Sequence, residues 1–108
     1  MNIDQTTLSP LAYRLRGQLG NADVTRVSTG AFAIINALQN HSTEEHGVPL
    51  PGELLGSLAT AFILAMEASG LPTGDVCGTA RNLMADAVGR RPEFKAITQY
   101  IKEEVYKS

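Results

Sequence analysis

Apolar residues recur along the chain at the spacing of one helix face, and they predict an all-α fold of about five helices. Ser9 and Pro10 signal the start of the first helix, because a capping hydroxyl followed by proline favours a first helical turn. The second helix is predicted to begin at Asp23 or Thr25 and to stop near Asn40. No segment alternates polar and β-branched residues, so no strand is predicted.

The second half of the chain is divided by glycines and prolines. Residues 41–52 contain two prolines, two glycines and no hydrophobic periodicity, which predicts the longest loop. A central apolar helix is expected over residues 53–69. The fourth helix is predicted to begin at a cap on Thr73 and to run to Gly89, and the fifth to open at Pro92. These helices form a compact bundle.

The third helix is unusual because residues 54–66 include no charged side chain, and no Lys or Arg occurs between Arg26 and Arg81. A surface helix keeps a polar face toward water, so we expect other helices to cover this one on most sides. It is either the centre of a monomeric bundle or the contact between copies of the chain. The charged fraction of 19% favours a homo-oligomer, because soluble domains average about 25%. The candidate interface residues are Leu54, Ser57, Leu58, Ala61, Phe62 and Ala65.

Length and composition limit the other possibilities. The 108 residues suffice for one helical domain spanning residues 1–108. A net charge of −2 provides no attraction to nucleic acid or to an anionic membrane. The single cysteine, Cys77, excludes an internal disulfide, and the opening residues lack a signal-peptide pattern. The uncharged run is shorter than the ~20 residues that span a bilayer. We therefore expect a cytoplasmic protein.

The best candidate for ligand chemistry is a set of residues around the fourth helix. Guanidinium groups bind phosphates bidentately, and the backbone N–H groups at a helix start attract anions. The local alternative for Arg90 is an ion pair with Asp86, four residues earlier. The candidate anion-binding residues are Arg81, Arg90, Arg91, Thr73 and Gly74.

Catalytic and metal-binding patterns are weak. His41 and His46 are five residues apart, whereas the helical zinc motifs bring two histidines together at a spacing of four. Cys77 has no histidine near it in sequence to act as a base. The segment 62–88 has a helix-turn-helix outline but few cations to neutralise DNA phosphates. A metal-dependent hydrolase and a DNA-binding protein therefore rank last, and we expect no enzyme, metal or cofactor.

The last third of the chain, with the segments LPTGDV, ARNLMADA and GRRPEFKAITQYI, resembles small all-helical accessory proteins of bacteriophages and prophages, without the motif of a named family. The resemblance implies a non-enzymatic protein that binds a host protein, as an inhibitor in anti-defence or as an adaptor. The alternative is a homo-oligomer that sequesters a small anionic ligand, such as a nucleotide signal, between its protomers.

Overall fold

A computed structural model describes residues 8–47 and 50–106, and it confirms an all-α fold of five helices. Its dimensions are 53 × 34 × 21 Å, so the bundle is flat. Helix α2 packs on α3 and α5, and α1 packs on α3 and α4. The helices are α1 (Pro10–Gly20), α2 (Val24–His46), α3 (Pro51–Ser69), α4 (Thr73–Met84) and α5 (Pro92–Tyr100). A short hairpin joins α4 to α5, with strands β1 (Ala85–Asp86) and β2 (Gly89–Arg90).

The first two helices begin where the capping residues predict. The Ser9 hydroxyl accepts a hydrogen bond from the backbone N–H of Ala12 at 3.1 Å. The Asp23 carboxylate accepts one from the N–H of Arg26 at 2.9 Å, so Asp23 and not Thr25 caps α2. These side chains satisfy backbone donors that have no partner within the helix.

Helix α2 extends beyond its predicted end near Asn40 and includes half of the predicted loop. It continues to His46 and ends at Gly47, whose φ of +78° is a conformation that glycine adopts without strain. The Ser42 side chain explains part of the difference, because it is buried and its hydroxyl accepts a hydrogen bond from the N–H of Leu50 at 3.0 Å. This contact holds the approach to α3 against the last turns of α2.

Helix α4 is shorter than predicted, and the expectation of no strands is wrong at this point. The helix ends at Met84, and the chain then turns through the hairpin, in which Ala85 pairs with Arg90. The Asp86 carboxylate accepts the N–H of Val88 at 2.9 Å, and Gly89 has a φ of +138°. An acidic side chain that bonds its own turn, followed by a glycine, is turn chemistry that overrides a helical apolar pattern.

The main core cluster lies where α2, α3 and the C-terminal segment meet. It consists of Ile35, Leu54 and Val105, with four partly buried side chains packed against it: Leu38, Leu58, Tyr100 and Ile101. Val105 belongs to Ile101–Val105, where α5 continues as a π-helix. The N–H of Tyr106 donates to the Ile101 carbonyl at 2.8 Å, a span of five residues that defines this wider turn. The Gln39 side-chain amide donates to the Glu104 carbonyl at 3.1 Å and ties the turn to α2.

Candidate functional site

Helix α3, which carries no charge between Leu54 and Met66, is exposed over most of its surface. Only Leu54 and Met66 of this helix are buried, and they lie on the stripe that faces α1 and α2. On the other side, Ile63 is 54% exposed and Leu64 is 60% exposed. In a single copy the chain's own helices therefore do not cover α3 on most sides, as the monomeric alternative would require. Exposed large apolar residues in adjacent positions along a helix segment without charge mark a candidate interaction surface.

The predicted interface residues divide into two groups. Leu54 is 4% exposed and belongs to the core, and Leu58 is packed against the same core, so both are engaged within the chain. The other four are exposed and available to a partner: Ser57, Ala61, Phe62 and Ala65. By their spacing the six residues form two neighbouring ridges of one helix, and the sequence did not indicate which ridge faces the chain's own core. We define the α3 outer face as Gly56, Ser57, Thr60, Ile63 and Leu64, which lie opposite the buried stripe.

The predicted anion-binding residues are not brought into one pocket of the chain. Arg90 lines a cavity among α2, α4 and α5, whereas Gly74 lines a separate cavity between α1 and α4. Thr73 borders a third cavity, at the α3–α4 turn, and Arg81 is exposed on α4. Thr73 also does not cap α4, because Pro72 occupies the cap position and no side chain bonds there. A site assembled between protomers remains a prediction.

Arg91 has a structural contact that the sequence did not reveal. Its Nε donates to the Leu83 carbonyl at 2.9 Å, and its backbone N–H donates to the Met84 carbonyl at 2.8 Å. Both carbonyls belong to the last turn of α4, where helix acceptors lack partners. Arg91 therefore caps the end of α4 across the hairpin, and one of its guanidinium N–H groups is already used in this hydrogen bond. The local alternative for Arg90, an ion pair with Asp86 at helical spacing, lacks its helix, because both residues lie in the hairpin.

Arg16 is a candidate that sequence reasoning missed. It lines a 350 Å³ cavity between α1 and α4 together with Gly74, Asp75 and Asn82. Arg16 follows Ala12 by four residues and so lies on the same face of α1, but only the structure shows that Ala12 is buried, so the sequence carries no clear signal for Arg16. The carboxylate of Asp75 beside the helix start opposes an anion there.

A second cavity of 350 Å³ extends to the interior of the molecule and has almost entirely apolar walls. Helices α2, α4 and α5 supply most of the wall, including Ile35 and Phe94, which are both buried. Arg90 is the one charged residue among the described residues that line it. Pockets that bind small molecules commonly combine such apolar walls with a few polar groups.

The histidine and cysteine candidates are placed apart. His41 is exposed and borders a 70 Å³ cavity with Glu53, whereas the side chain of His46 lies outside the described part of the structure. Cys77 is half-buried in α4. Among the side chains that the structure describes, no three of His, Cys, Asp and Glu are grouped to hold a metal ion.

No single helix within residues 8–47 and 50–106 is long and apolar enough to cross a membrane. Helices α3 and α4 satisfy that length and composition only as a pair, and they are bent by 116° where they join.

Comparison with known proteins identifies no relative of this chain. No protein-family model matches it, and neither a curated protein nor a solved structure is significantly similar, so the chain is assigned to no named family.

Proposed function

We propose that this chain is a non-catalytic binding protein that self-associates through the α3 outer face and, as an oligomer, inhibits or adapts a host protein. One observation carries the proposal: α3 presents exposed apolar side chains, including Leu64, with no charged residue between Leu54 and Met66. Large apolar side chains exposed together on one helix are typical of an interaction surface.

A second copy of the chain is the occupant that this face suits best. An interface with two-fold symmetry places the same patch on both subunits, and the five residues of the α3 outer face carry no charge to repel their own copies. Glu53 and Glu67 lie beyond the two ends of this face. Gly56 and Thr60 are both small and are four residues apart, which allows the backbones of two helices to approach closely. The apolar rows on either side, with Ile63 and Leu64, would then exclude water from the crossing.

Cross-linking tests this arrangement. Thr60→Cys is made in a Cys77→Ala background, so that position 60 carries the only thiol, and a short bismaleimide is added at low protein concentration. We expect a cross-linked dimer in high yield, because α3 crosses its copy near Thr60. The control places the thiol at Val88, which is 92% exposed at the hairpin tip. Equal yields at the two positions would show only random collision and would contradict the proposal.

Binding to a host protein is tested with an interface variant and a matched control at an exposed position. Tagged wild-type protein and Leu64→Glu are used to capture proteins from bacterial lysate, and Val88→Glu serves as the matched control. A partner retained by wild type and Val88→Glu, but lost with Leu64→Glu, is the expected result for a binder that acts as an oligomer. Retention of every partner by Leu64→Glu would show that binding does not need the α3 outer face.

Sequestration of a small anion between protomers is the second candidate function. It is supported by Arg81 and Arg90, which are both exposed and form no ion pair within the described part of the chain. Its test uses Arg81→Ala with Arg90→Ala and keeps Arg91, because Arg91 caps α4. Native mass spectrometry of gently purified protein should show a small molecule bound to the wild-type oligomer and absent from the double variant. An oligomer with no added mass would count against this function.

A further inference from the structure

The apolar cavity among α2, α4 and α5 has the size of a ligand-binding site. Its volume of 350 Å³ lies at the lower end of the range of about 300–1,000 Å³ for such sites. The cavity is partly open to solvent, and Phe94, only 5% exposed, forms part of its wall. Its apolar walls favour apolar contents over water.

Two polar side chains on the wall, Thr98 and Arg90, differ in whether they already have a hydrogen-bond partner. Thr98 is committed within its own helix, because its hydroxyl donates to the Phe94 carbonyl at 3.0 Å. Arg90 is exposed and has no hydrogen bond or ion pair from its side chain within the described residues. The wall is almost wholly apolar, so Arg90 contributes its aliphatic stem to it, and its guanidinium remains available at the rim.

This combination defines the chemistry of an occupant. We propose that the cavity binds a medium-chain alkyl carboxylate, with the alkyl chain among the side chains of α2, α4 and α5 and the carboxylate on the guanidinium of Arg90. A guanidinium matches the geometry of a carboxylate and can bind both of its oxygens. At the ~30 Å³ that one water molecule occupies in the liquid, 350 Å³ corresponds to roughly twelve non-hydrogen atoms. Decanoate has this size.

The same walls argue against the other occupants. A nucleotide base needs hydrogen-bonding groups along its edges, and the cavity provides none beyond Arg90 and the committed Thr98. A second copy of the chain is expected at the α3 outer face, whereas α3 contributes only Leu58 to this cavity. The inference therefore does not rest on self-association through α3.

Calorimetric titration of the full chain with decanoate tests the proposal, with 1-decanol and acetate as comparison ligands. We expect one decanoate to bind per chain. Decanol should bind with the same stoichiometry at a lower affinity, and acetate should not bind. Arg90→Met keeps an unbranched side chain and removes the charge, so it should weaken decanoate roughly five- to tenfold and leave decanol unchanged. Arg14→Met, at an exposed arginine of α1 outside the cavity, is the matched control and should bind decanoate as wild type does.

A second variant tests the location independently of Arg90. Ala31 lines the cavity, whereas Ala33 on the same helix is exposed and lies outside it. Ala31→Leu should therefore abolish binding of both decanoate and decanol, and Ala33→Leu should not, with circular dichroism used to check that each remains helical. Absence of decanoate binding by folded wild-type protein overturns the proposal. So does equal decanoate affinity in wild type and Arg90→Met, or binding that occurs only when an oligomer dissociates.

Discussion

The Nε of Arg91 donates a hydrogen bond to the carbonyl of Leu83 at 2.9 Å, across the hairpin that separates α4 from α5. The donor carries a full positive charge, and the acceptor lies at the negative end of the α4 dipole, so the contact combines a cap with a favourable charge interaction. Arg91 thus caps the end of α4 with its side chain and occupies the N-cap position of α5 with its backbone. Its role in the structure is positional, although its residue type suggested an anion ligand.

Arg91→Met is expected to lower the free energy of unfolding by about 1–2 kcal/mol, because the Leu83 carbonyl loses a charged donor. The value is measured by urea denaturation followed by circular dichroism. Arg14→Met, at an exposed arginine in the middle of α1 with no hydrogen bond from its side chain in the described structure, should change this free energy by less than about 0.5 kcal/mol. Equal effects of the two substitutions would contradict the proposed capping of α4 by Arg91.

Two glycines should respond to alanine with opposite signs. Gly89→Ala is expected to destabilise the protein by about 1–3 kcal/mol, because Gly89 has a φ of +138°, which side chains other than glycine rarely adopt. Gly30 lies within α2, and a Cβ placed there meets nothing within 4 Å. Gly30→Ala should therefore stabilise the protein by about 0.5–1 kcal/mol through helix propensity. Thermal unfolding of both variants measures the difference, and stabilisation by Gly89→Ala would contradict the hairpin geometry.

Neighbouring leucines on α3 test the position of the core. Leu54 is 4% exposed and packs with Ile35 and Val105, so Leu54→Ala should cost about 2–5 kcal/mol through lost burial and the cavity that remains. Leu55 is 53% exposed, and Leu55→Ala should cost less than about 1 kcal/mol. Chemical denaturation measures the free energy of unfolding of both variants, and a low protein concentration prevents self-association from contributing to it. Similar losses of stability at both positions would contradict the assignment of Leu54 to the buried side of α3.

Helix type and helix starts were predictable from the sequence because they depend on local chemistry. Ser9 and Asp23 act as caps through their own side chains, and Gly70 ends α3 with a φ of +75°. The two misplaced helix ends depended on other interactions. The Leu50 N–H bonds to Ser42 eight residues away, and Arg91 reaches back to Leu83, so neither end follows from periodicity alone.

The candidate sites were predictable only in part, because they depend on how the helices pack. The absence of charge between Leu54 and Met66 indicated an unusual surface, but not that Leu54 and Leu58 face the chain's own core. Residue type suggested an arginine set, whereas packing places Arg90 at the apolar cavity and Arg16 at a different one. The apolar cavity arises from five helices and the hairpin together, and no short segment of the sequence encodes it.

The central claim is that the α3 outer face is buried against a second copy of the chain. Light scattering coupled to size-exclusion chromatography measures this directly as molar mass, with wild type, Leu64→Glu and Val88→Glu compared at equal concentrations. The account predicts an oligomer for wild type and for Val88→Glu, and a helical monomer near 11.5 kDa for Leu64→Glu, because a buried unpaired carboxylate is strongly disfavoured. A wild-type protein that remains at 11.5 kDa at high micromolar concentration would contradict it.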